Sequence, residues 1–420
     1  MKHNFIQGFW SVLEYLSYPI FIFLSTPYFL QSLGITSYGQ WMWLLAITGI
    51  GGLAGFGIGP ATTKEISALR GGGKLISLGH ITRNSLGVAI IGILIIIMLF
   101  FVSIQILPFS WFAKIGSKNE ILTLVLFAIT IIFFEQIDSV YSGVIKGFER
   151  FDLSAKIEVL SRLFNIILCI IAVHLTHKLH ALFCAIVVAT ILRFIVKGFI
   201  ASKLVRMLVF LPSYNKEVFF ELVKFGKWSW LQSLGAFMFA IMDRLIIGSF
   251  LGPNDLAKFS IFTQLTQQIH TLPSAASTIL FPMISRSVQS KTPYKIIVRS
   301  SFLLLAALSS IIAIILILFG SSILQFWIPG FELIKDPKLF FMLVVAFFLL
   351  SLCVVPHHSY LGLNYAKFIA SSNILAGIIS VGLCIFFVNR YGLLGVAYSK
   401  VIYSIIILFS YYLFYKLRLK

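Results

Sequence analysis

The chain has 420 residues, 59% of them hydrophobic and only 11% charged, with a mean hydropathy of +0.99. That is too little charge to cover the surface of a water-soluble domain of this size, so soluble and disordered classes are excluded. The net charge of +19 comes from 33 Lys and Arg against 14 Asp and Glu, and the cations fall in short segments between apolar runs. Such placement belongs to membrane topology and anionic headgroups, not to nucleic acid.

Apolar runs of about twenty residues, enough to cross a hydrocarbon core of about 30 Å, recur along the chain. Spans are expected near 9–31, 38–59, 81–106, 119–141, 157–173, 180–200, 225–250, 256–282, 296–319, 338–361, 368–388 and 392–415. Only helices and closed barrels satisfy their backbone in lipid, and a barrel would show short alternating strands. The expected fold is therefore an all-α polytopic membrane protein of about twelve transmembrane helices. The first run is not a cleavable signal, because it is too long, lacks a small-residue cleavage site and is followed by further spans.

In chain order, the first span holds Glu14 a turn or two inside and two kink formers, Pro19 and Pro27. The second carries Gly51, Gly55 and Gly59, two overlapping GxxxG motifs that let helices approach closely. Glu135 and Asp138 lie in the fourth span and Arg162 in the fifth. Arg193 and Lys197 sit one turn apart near the end of the sixth. Two roles are open to that pair: snorkelling to headgroups, or recognition of a diphosphate.

A polar stretch near 201–224 divides the chain into halves of six spans, 1–205 and 206–420. The halves resemble each other. Leu33-Gly34-x-x-x-Tyr38-Gly39-x-Trp41 follows the first span, and Leu251-Gly252-x-x-x-Leu256-Ala257-x-Phe259 follows the seventh. Ile66-Ser67 and Ile284-Ser285 keep the same offset. Six spans per half give parallel repeats, related by an axis along the membrane normal.

On the seventh span, Ser229, Gln232, Ala236, Ala240 and Asp243 share one helical face. Asp243 is an ion-coupling candidate, with a structural ion pair to a basic residue elsewhere as the alternative. The eighth span is the most polar. Ser260, Gln264, Gln267, Thr271, Ser274 and Thr278 recur at spacings of four and three, and His270 lies close to that face. A lipid-facing helix would not carry this stripe, so it lines either a cavity or another helix. His357, His358 and Lys400 complete the ionisable groups within later spans. Cys169, Cys184, Cys353 and Cys384 lack CxxC spacing and are expected as small buried hydrophobes.

With both termini inside, 24 of the 33 Lys and Arg fall in cytoplasmic segments and six outside. The bias holds across all spans and supports a multi-pass inner-membrane protein with cytoplasmic termini. Motifs for other chemistry fail. Gly71-Gly72-Gly73-Lys74 lacks the phosphate-loop spacing, and His174, His177 and His180 lack a zinc-ligand pattern. No HExxH or GxSxG occurs, so no cofactor, metal or catalytic residue is expected.

Leu33-Gly34-Ile35-Thr36-Ser37-Tyr38-Gly39-Gln40-Trp41 resembles the "LG…YG.w" signature of polysaccharide flippases in the multidrug/oligosaccharidyl-lipid/polysaccharide exporter superfamily. Gly143-x-x-x-Gly147-Phe148-Glu149-Arg150-Phe151 resembles their turn between spans four and five. Asp243-Arg244-Leu245-Ile246-Ile247-Gly248 with Leu251-Gly252-Pro253, and Phe281-Pro282-Met283-Ile284-Ser285-Arg286, are similar to the ends of their spans seven and eight. The last third matches only in span pattern. The resemblance implies an O-antigen flippase of the Wzx type: two pseudo-symmetric six-helix lobes around a central cavity. Such a protein moves an undecaprenyl-diphosphate-linked oligosaccharide from the cytoplasmic to the periplasmic leaflet by alternating access. Expected substrate contacts are Arg83, Arg162, Gln264, Gln267, His270, Thr271, Arg286 and Arg299. Membrane lipids and polysaccharide-assembly proteins are the expected partners.

Three rival classes fit less well. A drug or cation antiporter of the same superfamily would favour acids in its cavity, and acids are scarce here. A membrane polymerase would carry a large outer loop, whereas the outside segments near 107–118 and 320–337 are short. A major-facilitator transporter would carry a charged motif between spans two and three, which 60–80 lacks.

Overall fold

The computed structural model describes residues 2–54, 57–72, 77–106, 113–277, 280, 283–284, 287, 293–331 and 336–419. Fifteen α-helices carry almost all of them: α1 Lys2–Ala54, α2 Ile58–Gly71, α3 Ser77–Ile106, α4 Lys118–Gly147, α5 Phe151–Thr176, α6 Leu179–Val205, α7 Lys216–Ala240, α8 Met242–Phe250, α9 Pro253–Thr266, α10 Gln268–Ser277, α11 Lys295–Trp327, α12 Pro337–Leu352, α13 Val354–Gly362, α14 Ala366–Tyr391 and α15 Leu393–Phe414. A π-helical turn, Tyr415–Leu419, follows. Ten stretches among the described residues are long and apolar enough to cross a membrane. The expected first and second spans form one continuous run in α1, interrupted at Gly34. The expected eighth span is broken at Gln267 into α9 and α10 and is too polar to count among the ten. The seventh and tenth spans are each divided too, at Ile241 and Cys353.

Two compact units form, Met1–Ser233 and Leu234–Lys420. In the first, α2 and α4 pack through small residues. A side chain on Gly143 would meet the Gly59 carbonyl at 2.5 Å, and one on Gly147 would meet Ile66. A side chain on Gly51 would meet Ile132 on α4. The GxxxG glycines thus serve close packing, as their spacing predicts; Gly55 lies outside the described residues. Tyr141, Val144, Ala201 and Val209 lie at the centre of this unit's core. In the second unit, α15 packs between α12 and α14, around Tyr403, Ile407 and Tyr411.

Helix ends leave carbonyls without intrahelical donors, and in hydrocarbon no water replaces them. Side chains fill that role here. Gln136 Nε2 donates to Gly51 O at 2.6 Å and Trp230 Nε1 to Leu53 O at 2.7 Å, at the end of α1. Ser67 Oγ and Arg70 both donate to Gly147 O at 3.2 Å, at the end of α4. The segment after α6 is docked the same way: Tyr141 donates to Val209 O at 3.2 Å, and Arg83 Nε to Leu211 O at 2.9 Å. Of the cysteines, Cys169, Cys353 and Cys384 are buried, but Cys184 is exposed. On a lipid-facing surface an apolar thiol loses nothing by exposure, so burial was the wrong expectation there.

Two glycines paired by the sequence repeat take similar backbone conformations. Gly34 has φ 78° and ψ 166°, and Gly252, its counterpart in the second half, has φ 103° and ψ 178°. This region of backbone space is essentially confined to glycine. Tyr38 and Trp41 are buried, as are their counterparts Leu256 and Phe259, and Ile66 and Ile284 are both fully buried. Replacing Gly34 or Gly252 by Ala is expected to destabilise the protein by about 1–3 kcal/mol each. Gly52→Ala, at a site with nothing within 4 Å, should be nearly neutral. Thermal unfolding of the purified variants checks this.

Candidate functional site: buried charges and a polar stripe

Three consecutive helices of the first unit each contribute a charged doublet spaced to share a face. Glu135 and Asp138 are on α4, Glu158 and Arg162 on α5, and Arg193 and Lys197 on α6. They meet at Glu158. Its Oε2 accepts from Lys197 Nζ at 2.6 Å, and its Oε1 accepts from Arg162 and Arg193, each at 3.3 Å. Lys197 also donates to Asp138 Oδ2 and to Ser142 Oγ, both at 2.8 Å. Arg193 lies 3.4 Å from Asp138 and 3.5 Å from Glu135. Arg162 carries the network to α1, donating to Glu14 O at 2.5 Å and Ser17 Oγ at 2.6 Å. Glu14 itself pairs with Lys146 at 3.0 Å.

The Lys197 side chain is 1% exposed, so it neither snorkels nor presents a free cation to a diphosphate. Charges taken from water are tolerated only when paired and hydrogen-bonded, and three acids here balance three bases. The network binds α1, α4, α5 and α6 to one another. The sequence marked Glu135, Asp138, Arg162 and the Arg193–Lys197 pair, but Glu158, the hub, went unnoticed. The missed signal was the recurrence of i,i+3 and i,i+4 charged doublets on three successive helices.

The second unit holds a separate pair. Asp243, at the start of α8, meets Lys400 of α15 at 2.8 Å, and both are buried. The partner from elsewhere, left open by the sequence, is thus Lys400, while the Arg244 backbone N–H donates to Asp243 Oδ1 at 2.7 Å.

The polar stripe is split by the break at Gln267. On α9, Ser260 and Gln264 are buried, and the hydroxyls of Ser260 and neighbouring Thr263 have no hydrogen-bond partner among the described residues. Beyond the break, Gln267, His270, Thr271 and Ser274 are half-buried. Thr271 Oγ1 donates back to Gln267 O at 3.0 Å, which holds the helix start. His270 lies within electrostatic reach of His357 and His358. The His357 and His358 rings are 5.3 Å apart, and His357 Nδ1 is 3.1 Å from the Tyr411 hydroxyl. No group of His, Cys, Asp or Glu among the described residues forms a metal site.

The expected contacts therefore divide. Gln264, Gln267, His270 and Thr271 come together along one stretch of the second unit. Arg299 is exposed in the first turns of α11. Arg83 and Arg162 belong to the first unit, both engaged with backbone carbonyls. Arg286, Thr278, Phe281, Pro282 and Ser285 lie outside the described residues, as do Gly73 and Lys74 and the side chains of Ser229 and Gln232.

The fold is that of a polytopic transporter. It is similar to the crystal structure of the Vibrio cholerae MATE transporter VcmN in the bent form, with a TM-score of 0.64 and 17% identity, covering 99% of this chain and 96% of that one. It is also similar to an inward-facing multidrug resistance MATE family transporter of the MOP superfamily, with a TM-score of 0.65 and 17% identity, covering 98% and 94%. The polysaccharide biosynthesis protein family matches residues 7–288, and the chain belongs to that family. It is 22% identical over 396 residues to a Shigella flexneri protein described as "Putative O-antigen transporter", covering 93% of this chain and 92% of that one. The flippase resemblance drawn from the ordered motifs agrees with these relationships. The chain is a multi-pass bacterial membrane protein.

Substituting Lys197 by Met should cost about 3–5 kcal/mol, because the three acids of the network are then left with two cations, Arg162 and Arg193. Restoring neutrality with Asp138→Asn in the same chain should recover part of the loss. Unfolding of the two variants in detergent measures the difference.

Proposed function

We propose that this protein translocates a polyprenyl-diphosphate-linked oligosaccharide, an O-antigen repeat unit or a close analogue, from the cytoplasmic to the periplasmic leaflet of the inner membrane, without covalent chemistry. The observation that carries the reading is the relationship, over 93% of this chain and across both units, to the Shigella flexneri protein described as "Putative O-antigen transporter". Physical chemistry supports it. A diphosphate and a sugar chain do not cross hydrocarbon unshielded, so the carrier needs polar groups at membrane depth. The half-buried part of the stripe, Gln267, His270 and Thr271, offers neutral donors and acceptors suited to sugar hydroxyls. Arg286 and Arg299 are the proposed phosphate contacts and Arg83 a secondary one; Arg162, also expected from the sequence, is committed to Glu158 and the Glu14 carbonyl. Both termini are proposed to be cytoplasmic.

The MATE-like fold favours a second reading, a cation-coupled drug exporter. Against it, Asp138, Glu158 and Asp243 are each neutralised by a basic side chain of the protein itself, which leaves them poorly placed to attract a cationic drug.

Deleting the gene in its native bacterium should abolish surface glycan and leave complete diphosphate-linked repeat units facing the cytoplasm. Translocated but unpolymerised units would overturn the flippase reading in favour of a polymerase. Unchanged glycan with new drug sensitivity would establish the exporter. In complementation, Arg286→Ala is expected to lower glycan export by on the order of tenfold at matched membrane levels, the loss of one charge-assisted hydrogen bond.

A further inference from the structure

The Lys400 ammonium sits among groups that each favour a positive charge. α7 ends at Ala240, and Ile241, with φ −129°, separates it from α8. Phe239 therefore sits in a last helical turn, where carbonyls lack intrahelical donors. Lys400 Nζ donates to Phe239 O at 2.7 Å. The same nitrogen is 2.8 Å from Asp243 Oδ2. It stands 4.0 Å from the centre of the Phe239 ring and 5.6 Å from that of Phe347. One carboxylate, one freed carbonyl of an interrupted membrane helix and two aromatic faces each favour positive charge. With both side chains almost fully buried, at 4% and 6% exposed, no room is left for an ion from solution.

We propose that Lys400 is a resident cation. It fills a monovalent-cation site formed by Asp243, the broken α7–α8 helix and the two rings, so this protein takes up no sodium at Asp243. The ion belonging to the sequence's ion-coupling candidate is thus covalently attached to the chain. A lysine stem carries the charge in from α15 and fastens that helix to the break, so the site is occupied at every salt concentration. Removing the stem would leave the Asp243 carboxylate and the Phe239 carbonyl facing the vacated space without a cation, and sodium, with water completing its shell, is the abundant ion that can replace it. The inference does not rest on the flippase reading, because ion occupancy is measured without substrate.

The test uses the full chain in detergent, with thermal unfolding followed in sodium chloride and in choline chloride at equal ionic strength. The wild type should unfold at the same temperature in both. Lys400→Ser should gain a stabilisation that rises with the logarithm of sodium concentration, as binding to the folded state requires. The neutral double variant Asp243→Asn/Lys400→Met should show no sodium response. A folded Lys400→Ser protein indifferent to sodium would overturn the proposal. Direct binding of radioactive sodium to the wild type gives a second measurement should Lys400→Ser not fold. Saturable binding absent from the double variant would show that Asp243 draws its ion from solution and would also overturn it. No difference between the two proteins supports the resident cation.

Discussion

A peptide carbonyl inside a hydrocarbon layer finds no water, and this constraint organises the molecule. It dictates long helices, and it makes every interruption of a helix a place where a side chain has to donate. Gln136 and Trp230 do so at the end of α1, and Ser67 and Arg70 at the end of α4. Lys400 does so at the end of α7, and Arg162 reaches Glu14 O on α1. Several polar residues of this apolar chain thus stand where a helix ends. They fix which helices are neighbours, because a donor on one helix answers an acceptor on another.

The same constraint explains the treatment of charge. An isolated ion in the membrane costs several kcal/mol, so ions occur in balanced groups. Glu158 gathers three cations from two helices, and Asp243 has one of its own. Because these buried groups are balanced, the positive net charge of the sequence comes from charged residues outside them. The balance also bears on substrate recognition: a diphosphate has to be met by cations outside these groups.

Much of the fold was legible because span length, positive charge in loops and glycine spacing are local signals. The break at Gly34 and its echo at Gly252 were marked by a shared Leu-Gly motif, and both take a backbone conformation open to glycine alone. The site was less legible. Arg193 and Lys197 were visible as a pair one turn apart, but whether a basic pair snorkels or turns inward depends on which residues the next helix presents. Glu158 settled it, and it lies 39 residues from Lys197. The stripe of the eighth span was visible as a periodicity. Its division into a packed half and a half-open half follows from the break at Gln267, which no glycine or internal proline at that residue announces.

The segment between the two sequence halves has a bearing on how the protein is made. Val209, Leu211 and Ser213 are hydrogen-bonded to Tyr141, Arg83 and the Arg83 backbone, and Phe210 lies against Gly198, Tyr141 and Phe194. The first six spans therefore leave the ribosome with an open seam along α3, α4 and α6. The residues that close it are synthesised only afterwards, on the aqueous side. The core of the first unit is thus complete only once residues that follow α6 in the chain have joined it.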